Sequence, residues 1–569
     1  MYRRLLSLAV LALCLAVLNP LAGAQVPKYR VPEGAPEPHL DYHGVVAGKS
    51  TLAEVRELLG EPIFAARWYN YKIYYPAEGR PEGMVDVVHL NGDSPDSTVG
   101  SIEAASIPES HANEAAIRAQ VGKPEYELRM ATWKLLDYSE QGLRFALDPE
   151  GNTIGVVYVA HETYRRVPEG ERDLMDLTHL RQGPQPAPAA PADLRGLEVG
   201  TSEAILSPQE QDWLPRPFRV VTELKARTAV FRADDLTVAL VGNDLFGMGW
   251  QDVMVIREAA RELGVDHVIF GMSHNHAAGD TIGVYGHYPA EYIAHIQQRT
   301  IEGIEAALGN MQPVWELRVA SKELPMDGAR VMHLIRNARN PGLMDPTINL
   351  IQALGEDGAP LATIVNFACH VEGIGASGEI TADFPGYMAD AIQARGGGQA
   401  VFLTGAVGGM ISGDNPERTH ESAEEMGLRL AEIVGELEAM AQPVETFNFT
   451  VDQRRLEIPV TTGSWKPMLE AGLRPVNRGR IITDMIYFEL GTAQFITLPG
   501  ELFPEVAFEI LEKMEGFPRV LVGLGNDELG YLLPLYDFRD DYYEETASPG
   551  PAGGPQVRDM ALRMLEANQ

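Results

Sequence analysis

From Leu194 onward, short β-branched apolar runs alternate with longer stretches of helical spacing, and this alternation restricts the chain to few architectures. Residues 228–231, 237–241, 265–270, 314–320, 347–354, 362–368, 400–403, 482–488, 493–497 and 520–522 read as strands. Residues 251–263, 289–308, 385–395, 421–440 and 502–515 read as helices. The expectation is an α/β fold with more than one multi-stranded sheet flanked by helices, a layered α/β sandwich. In such folds ligands gather beyond the carboxyl ends of strands, so the residues that follow each strand are the first place to look for chemistry.

Four strand ends carry residues that suit a metal. The run Val265–Gly271 leads into Ser273-His274-Asn275-His276, followed by Ala277-Ala278-Gly279-Asp280. In an extended segment alternate side chains share a side, so His274 and His276 can both approach one ion. Alternatively one binds it while the other moves protons, or both merely cap backbone groups. A second strand ends Asn366-Phe367-Ala368-Cys369-His370. A third ends in the turn Leu498-Pro499-Gly500 before Glu501, and a fourth leads to Gly525-Asn526-Asp527-Glu528-Leu529-Gly530-Tyr531. Two imidazoles, a carboxylate and a further oxygen form a donor set that zinc accepts. Taken singly, His370 also reads as a satisfied core histidine, Glu501 as a helix N-terminal acid and Tyr531 as a packed aromatic.

The remaining sequence sets the context. Met1-Tyr2-Arg3-Arg4, an apolar run to Leu18 and Ala22-Gly23-Ala24 make residues 1–24 a secretory signal peptide, which places the protein in a bacterial envelope, periplasmic or secreted. No later stretch is apolar enough to span a bilayer, so any membrane association is peripheral. Of two cysteines only Cys369 lies beyond the signal, which rules out an internal disulfide. A net charge of −34 argues against nucleic acid as a partner. Residues 40–165 carry a tandem repeat: a helical pattern that stops at Gly60-Glu61-Pro62 returns and stops at Gly122-Lys123-Pro124, each time followed by strands. This predicts a smaller N-terminal α+β module for binding or packing, similar to the helix-then-hairpin modules of small envelope lipoproteins. A Pro/Ala linker at 181–193 separates it from the domain at 194–569.

The region from 194 resembles the catalytic domain of the neutral/alkaline non-lysosomal ceramidases. SHNHAAGDTIGVYG is similar to that family's T-H-T-H-S-G-P loop, and NFACHVEGIG with Ile380-Thr381-Ala382-Asp383-Phe384-Pro385-Gly386-Tyr387 to its second histidine segment. LPGELF matches its L-P-G-E motif, GNDELGYLLP its N-x-x-x-G-Y-x-P motif, and DDYYEETASPGP its tyrosine-bearing segment. The resemblance implies Zn2+ held by His274, His370, Glu501 and Tyr531. It implies His276 as acid/base and Tyr543 near the substrate carbonyl, with an arginine from Arg336-Asn337-Ala338-Arg339 in the pocket, assigned to Arg339. The implied reaction is hydrolysis of the amide of an N-acyl lipid such as ceramide. The alternatives are another envelope amide or ester at the same centre, or a non-catalytic binding protein. The sequence departs from the family at Gly405–Asp414: Gly409 replaces an aspartate and Ile411 stands at the place of a serine, with Ser412 and Asp414 out of register. Asn275 replaces a threonine, and no counterpart of the family's C-terminal immunoglobulin-like domain is expected.

Overall fold

The computed structural model describes residues 41–160, 174–177 and 190–569, apart from residues 69, 82–83, 139–140, 215, 285–287, 333, 375–377, 415–416, 471 and 540–541. The expected signal peptide, the end of the repeat region and most of the Pro/Ala linker lie outside the described residues.

Three sheets form the body of the region after residue 194. The first orders His267–Met272, Leu236–Asn243, Lys225–Ala233, Glu198–Ile205 and Gln312–Pro313. The second orders Gln399–Thr404, Pro360–Phe367, Thr347–Leu354, Glu316–Glu323 and Gln442–Pro443. The third orders Asn448–Pro459, Arg480–Gly491, Ala493–Thr497 and Arg519–Val522. Their inner faces meet in one core, where Phe231, Val238 and Ile269 pack with Ile351, Ile364, Val401, Phe488, Phe495 and Val520. Helices cover the outer faces. Trp250–Glu262 and Ala290–Leu308 lie on the first sheet through Ile256, Tyr292 and Ile296. Asp383–Ala394 and His420–Met440 lie on the second through Phe384, Met388, Leu430 and Ile433. Pro504–Lys513 and Gly553–Asn568 lie on the third through Phe508, Val557 and Ala561. This is the expected layered α/β sandwich with an N-terminal α+β module.

Each sheet is mainly antiparallel but holds one parallel pair: Leu236–Asn243 with His267–Met272, Pro360–Phe367 with Gln399–Thr404, and Ala493–Thr497 with Arg519–Val522. The carboxyl ends of these pairs supply the segments that meet at the site.

The N-terminal module is one nine-stranded sheet. Helix α1 (Leu52–Leu59) precedes β1 (Phe64–Trp68), β2 (Asn70–Pro76), β3 (Val85–Leu90) and β4 (Val99–Ala104). Helix α2 (Glu114–Val121) precedes β5 (Tyr126–Arg129), β6 (Lys134–Tyr138), β7 (Leu143–Leu147) and β8 (Thr153–Val159), and β9 (Leu174–Asp176) extends the edge. The sheet order is β1-β2-β3-β4-β8-β7-β6-β5-β9, so two four-stranded meanders join at their last strands. The sequence pattern places strands after each helix stop; the structure has four in each copy. One device is repeated: the Tyr75 hydroxyl donates to the Gly60 carbonyl at 3.1 Å, and Tyr138 donates to that of Gly122 at 3.0 Å. Both glycines end a helix at positive φ, which a side chain would resist.

The sheet's far face meets the larger region. The second copy does so through apolar groups: Leu128, Trp133 and Leu135 share a core with Leu324, Val331 and Ile335. The first copy does so through polar ones: Glu103 accepts from Arg330 at 3.2 Å, and Arg330 also donates to Asp414 at 2.9 Å.

Candidate metal centre

His274 and Asn275 follow strand His267–Met272, His370 follows Pro360–Phe367, Glu501 follows Ala493–Thr497, and Tyr531 lies beyond Arg519–Val522. Short backbone bridges lock these segments together: Gly271 to Gly525, Asn275 to Val371, His370 to Ser412, and Glu501 to Tyr531. His274, Met410 and Asn526 adopt left-handed backbone with φ of 63°, 59° and 70°. That conformation costs non-glycine residues about 1 kcal/mol or more, and buried contacts hold it here. Asn275, completely buried, donates to the Thr381 carbonyl at 2.7 Å and accepts from the Ala277 N–H at 2.9 Å.

The Nδ1 of His274 lies 2.9 Å from the Phe246 carbonyl. A carbonyl only accepts, so Nδ1 carries the proton and Nε2 offers its lone pair inward, the arrangement usual for a metal-binding histidine. The Phe246 ring stacks on His274 at 4.8 Å. His274 Nε2 is 3.5 Å from Glu501 Oε1, and His370 Nε2 is 2.8 Å from Glu501 Oε2 and 3.0 Å from the Val407 carbonyl. His276 joins them: one ring nitrogen from each of His274, His276 and His370 lies within 4.8 Å of the others. These three histidines form a cluster able to coordinate a metal ion.

Burial lowers the His274 imidazole to about 3, although Glu501 opposes the shift. It lowers His276 to about 4 against the pull of Glu372. Both rings are therefore neutral at neutral pH, as ligands or bases must be. Burial pushes the Glu501 carboxyl up, opposed by His274 and by a hydrogen bond from Tyr531. Glu528, beside it, is pushed up by burial and by Glu501. His276 Nε2, His370 Nδ1, Glu501 Oε2 and Glu528 Oε2 are buried without a hydrogen-bond partner. So many orphaned polar atoms around one point are costly unless a cation compensates them, so the donor set fits a metal.

The expected ligands come together. The Tyr531 hydroxyl also lies 2.9 Å from Met410 Sδ. Above the imidazoles is a cavity of about 350 Å³ walled by Phe246, Ile282, Val284, Trp465, Met468 and Tyr531. Tyr543 stands at its mouth, 47 % exposed, its ring 6.0 Å from that of Tyr531. Arg339 is placed elsewhere. Its side chain is buried, donates to Asp537, Glu544 and Glu545, and lies over the ring of Phe503. It pins the segment that carries Tyr543 and does not line the cavity over the imidazoles. Arg336 likewise faces a different cavity.

Glu372 escaped the sequence reading. It is buried, 3.4 Å from His276 Nδ1, and accepts from Ser412 Oγ at 2.9 Å. Its signal was present: Glu372 follows His370 by two in an extended stretch, the same spacing that marks His274 and His276. Ser412 and Ile411 alternate in the strand Ile411–Gly413, so Ile411 is buried in the core while the out-of-register serine reaches Glu372.

No family model matches the chain, and no curated protein matches it. Among solved structures, the neutral ceramidase from Pseudomonas aeruginosa superposes with a TM-score of 0.54 at 16% identity, over 66% of this chain and 75% of that one. A ceramidase complexed with C2 gives 0.55 at 16% identity over the same shares. The chain shares their fold. Among the described residues no helix is long and apolar enough to cross a membrane.

Proposed function

We propose that the chain is a zinc-dependent amidohydrolase acting on an N-acyl lipid, in the manner of a ceramidase. The observation that carries this reading is the convergence of His274 and His370 on the Glu501 carboxylate, with His276 clustered beside them, beneath a cavity with apolar walls. His274, His370, Glu501 and Tyr531 would hold the ion. Zinc in such a site acts as a Lewis acid and makes water nucleophilic at neutral pH. Neutral His276 takes the proton from the attacking water and delivers it to the leaving nitrogen, so the C–N bond breaks to a carboxylic acid and an amine. Glu372, close to Nδ1, orients that ring and favours its protonated form. Tyr543 at the mouth supplies a hydroxyl donor toward the carbonyl oxygen. Phe246, Ile282, Val284, Trp465 and Met468 take the acyl chain. The predicted export signal fits an envelope lipid as substrate.

A different amide or ester is the second reading, favoured by Ile411, which puts a core side chain where the ceramidases carry a serine. Metal analysis and a substrate panel test both. Purified protein is expected to hold about one zinc per chain. It is expected to hydrolyse a fluorescent ceramide in a chelator-sensitive way, and His370→Ala should lose both properties. Full zinc content in His370→Ala overturns the ligand assignment. Intact zinc with turnover of other amides or esters but not ceramide selects the second reading.

A further inference from the structure

A second cavity, of about 300 Å³, lies where the N-terminal sheet meets the larger region. One rung of the sheet forms its wall: Lys72 on β2 pairs with His89 on β3, His89 with Ser101 on β4, and Ser101 with Val159 on β8. The facing wall is Arg336 and Ser412, neighbours across a strand pair. Tyr543 lines this cavity and the one over the imidazoles, and Ser412 is bonded to Glu372 beside His276. The two compartments therefore share a wall at the candidate reaction centre.

The carboxylates around this space are already engaged. Glu103 and Asp414 are held by Arg330, and Glu544 is held by Arg339. Lys72 is only 2 % exposed and lines the cavity, and its ammonium has no hydrogen bond or ion pair among the described residues. Arg336, also buried, has Asp414 at 3.7 Å as its nearest carboxylate, and that group already serves Arg330. Burial pushes the Lys72 amine down, and Arg336 pushes it further, against Glu103 and Asp414. A buried ammonium facing a guanidinium across open space is unfavourable unless an anion lies between them.

We infer that this cavity binds an anionic group, a carboxylate or phosphate, carried by the substrate. Lys72 and Arg336 hold it while the amide lies over the imidazoles. The inference rests on the amidohydrolase reading for the identity of the substrate. The anion site itself rests only on the cavity, the unpartnered Lys72 ammonium and Arg336, which shares Asp414 with Arg330. It gives the N-terminal module a share in specificity: the preferred substrate is an amide with an acidic head group, and charge-assisted bonds from Lys72 and Arg336 select it.

The test uses the zinc-loaded full chain and two hydrolysis-resistant ketone analogues in which CH2 replaces the amide NH. They share an acyl chain; one ends in a carboxylate and the other in a hydroxyl. The acidic analogue is expected to bind about tenfold or more tightly than its neutral twin. Lys72→Met should bring the ratio to within about twofold, and Lys72→Arg should keep most of it. Lys72→Met removes a buried unpaired amine, so its melting temperature should equal or exceed that of the parent, which certifies folding. Equal affinities in the parent, or a ratio unchanged in Lys72→Met, overturn the inference. Inorganic phosphate is titrated in parallel. If it binds in a Lys72-dependent way while the analogues bind alike, the site takes a free anion and the substrate assignment falls. Turnover is not part of the readout. A preserved affinity ratio without amide hydrolysis therefore rejects the catalytic reading alone, and hydrolysis of amides with a ratio of one rejects the anion subsite alone.

Discussion

At the scale of single residues, the candidate centre depends on which groups hold the imidazoles as much as on the imidazoles themselves. His274 is set by a backbone carbonyl and the stacked Phe246 ring, His276 by the Glu372 carboxylate. Glu372→Gln is expected to lower kcat/KM about 10- to 100-fold while zinc content stays near that of the parent. Glu372 opposes the burial that depresses His276, so removing its charge should also carry the acidic limb of the pH–rate profile to lower pH. Zinc loss in proportion to activity would show that Glu372 serves metal binding instead. The strand ends that lead to His274, His370, Glu501 and Tyr531 were legible, and the resemblance to the ceramidases selected these four residues as a set. Glu372 shares the two-residue spacing of the His274–His276 pair but is a carboxylate with no second mark of a site, and the position of Arg339 depends on three carboxylates from a distant segment, Asp537, Glu544 and Glu545, that no local spacing announces.

At the scale of elements, the ten strands and five helices read from the sequence after residue 194 all occur, with ends shifted by a few residues. Those strands are apolar and β-branched, so local preference and burial agree. Glu198–Ile205 was not legible: two glutamates, a glycine and a serine give it little strand preference, and its conformation comes from pairing with Lys225–Ala233. Asn448–Pro459 was missed because it is a charged edge strand, and Ile335–Asn337 and Ile411–Gly413 because three residues carry no period. In the repeat, the helix stops were visible but the joining of the copies through β4 and β8 was not. An acid cluster on the second copy makes a separate prediction. Burial alone would raise the Glu127 carboxyl, but hydrogen bonds from Arg118, Lys134 and Arg129 hold it at about 2. A carboxyl whose folded pKa is depressed stabilises the fold above its unfolded value and loses that contribution as pH falls toward the folded one. Denaturant unfolding of Glu127→Gln should therefore show a loss of about 1 kcal/mol at neutral pH. The loss should shrink between pH 4.5 and about 2. A loss constant across that window would assign it to packing.

At the scale of the whole molecule, the N-terminal sheet and the larger region share one apolar core through Leu128, Trp133 and Leu135, and one buried ion network through Arg330. Arg330→Ala leaves Glu103 and Asp414 buried without their shared partner. It should destabilise the chain by about 3–5 kcal/mol. Because the core is continuous, fluorescence and circular dichroism should still report a single transition. Two separated transitions would mean that the regions unfold independently. The unequal use of the repeat has a further consequence. Its two halves have the same plan, but one half is a foundation, seated by apolar contact, and the other is a polar partition beside the candidate metal centre. A foundation tolerates little change, whereas the partition presents Lys72 and Ser101 on a single rung, apart from the apolar seat and the clustered imidazoles. Duplication thus gives this architecture an exchangeable panel. Under the proposed role of Lys72, change in the first copy alone would alter substrate choice, at a distance from the imidazoles.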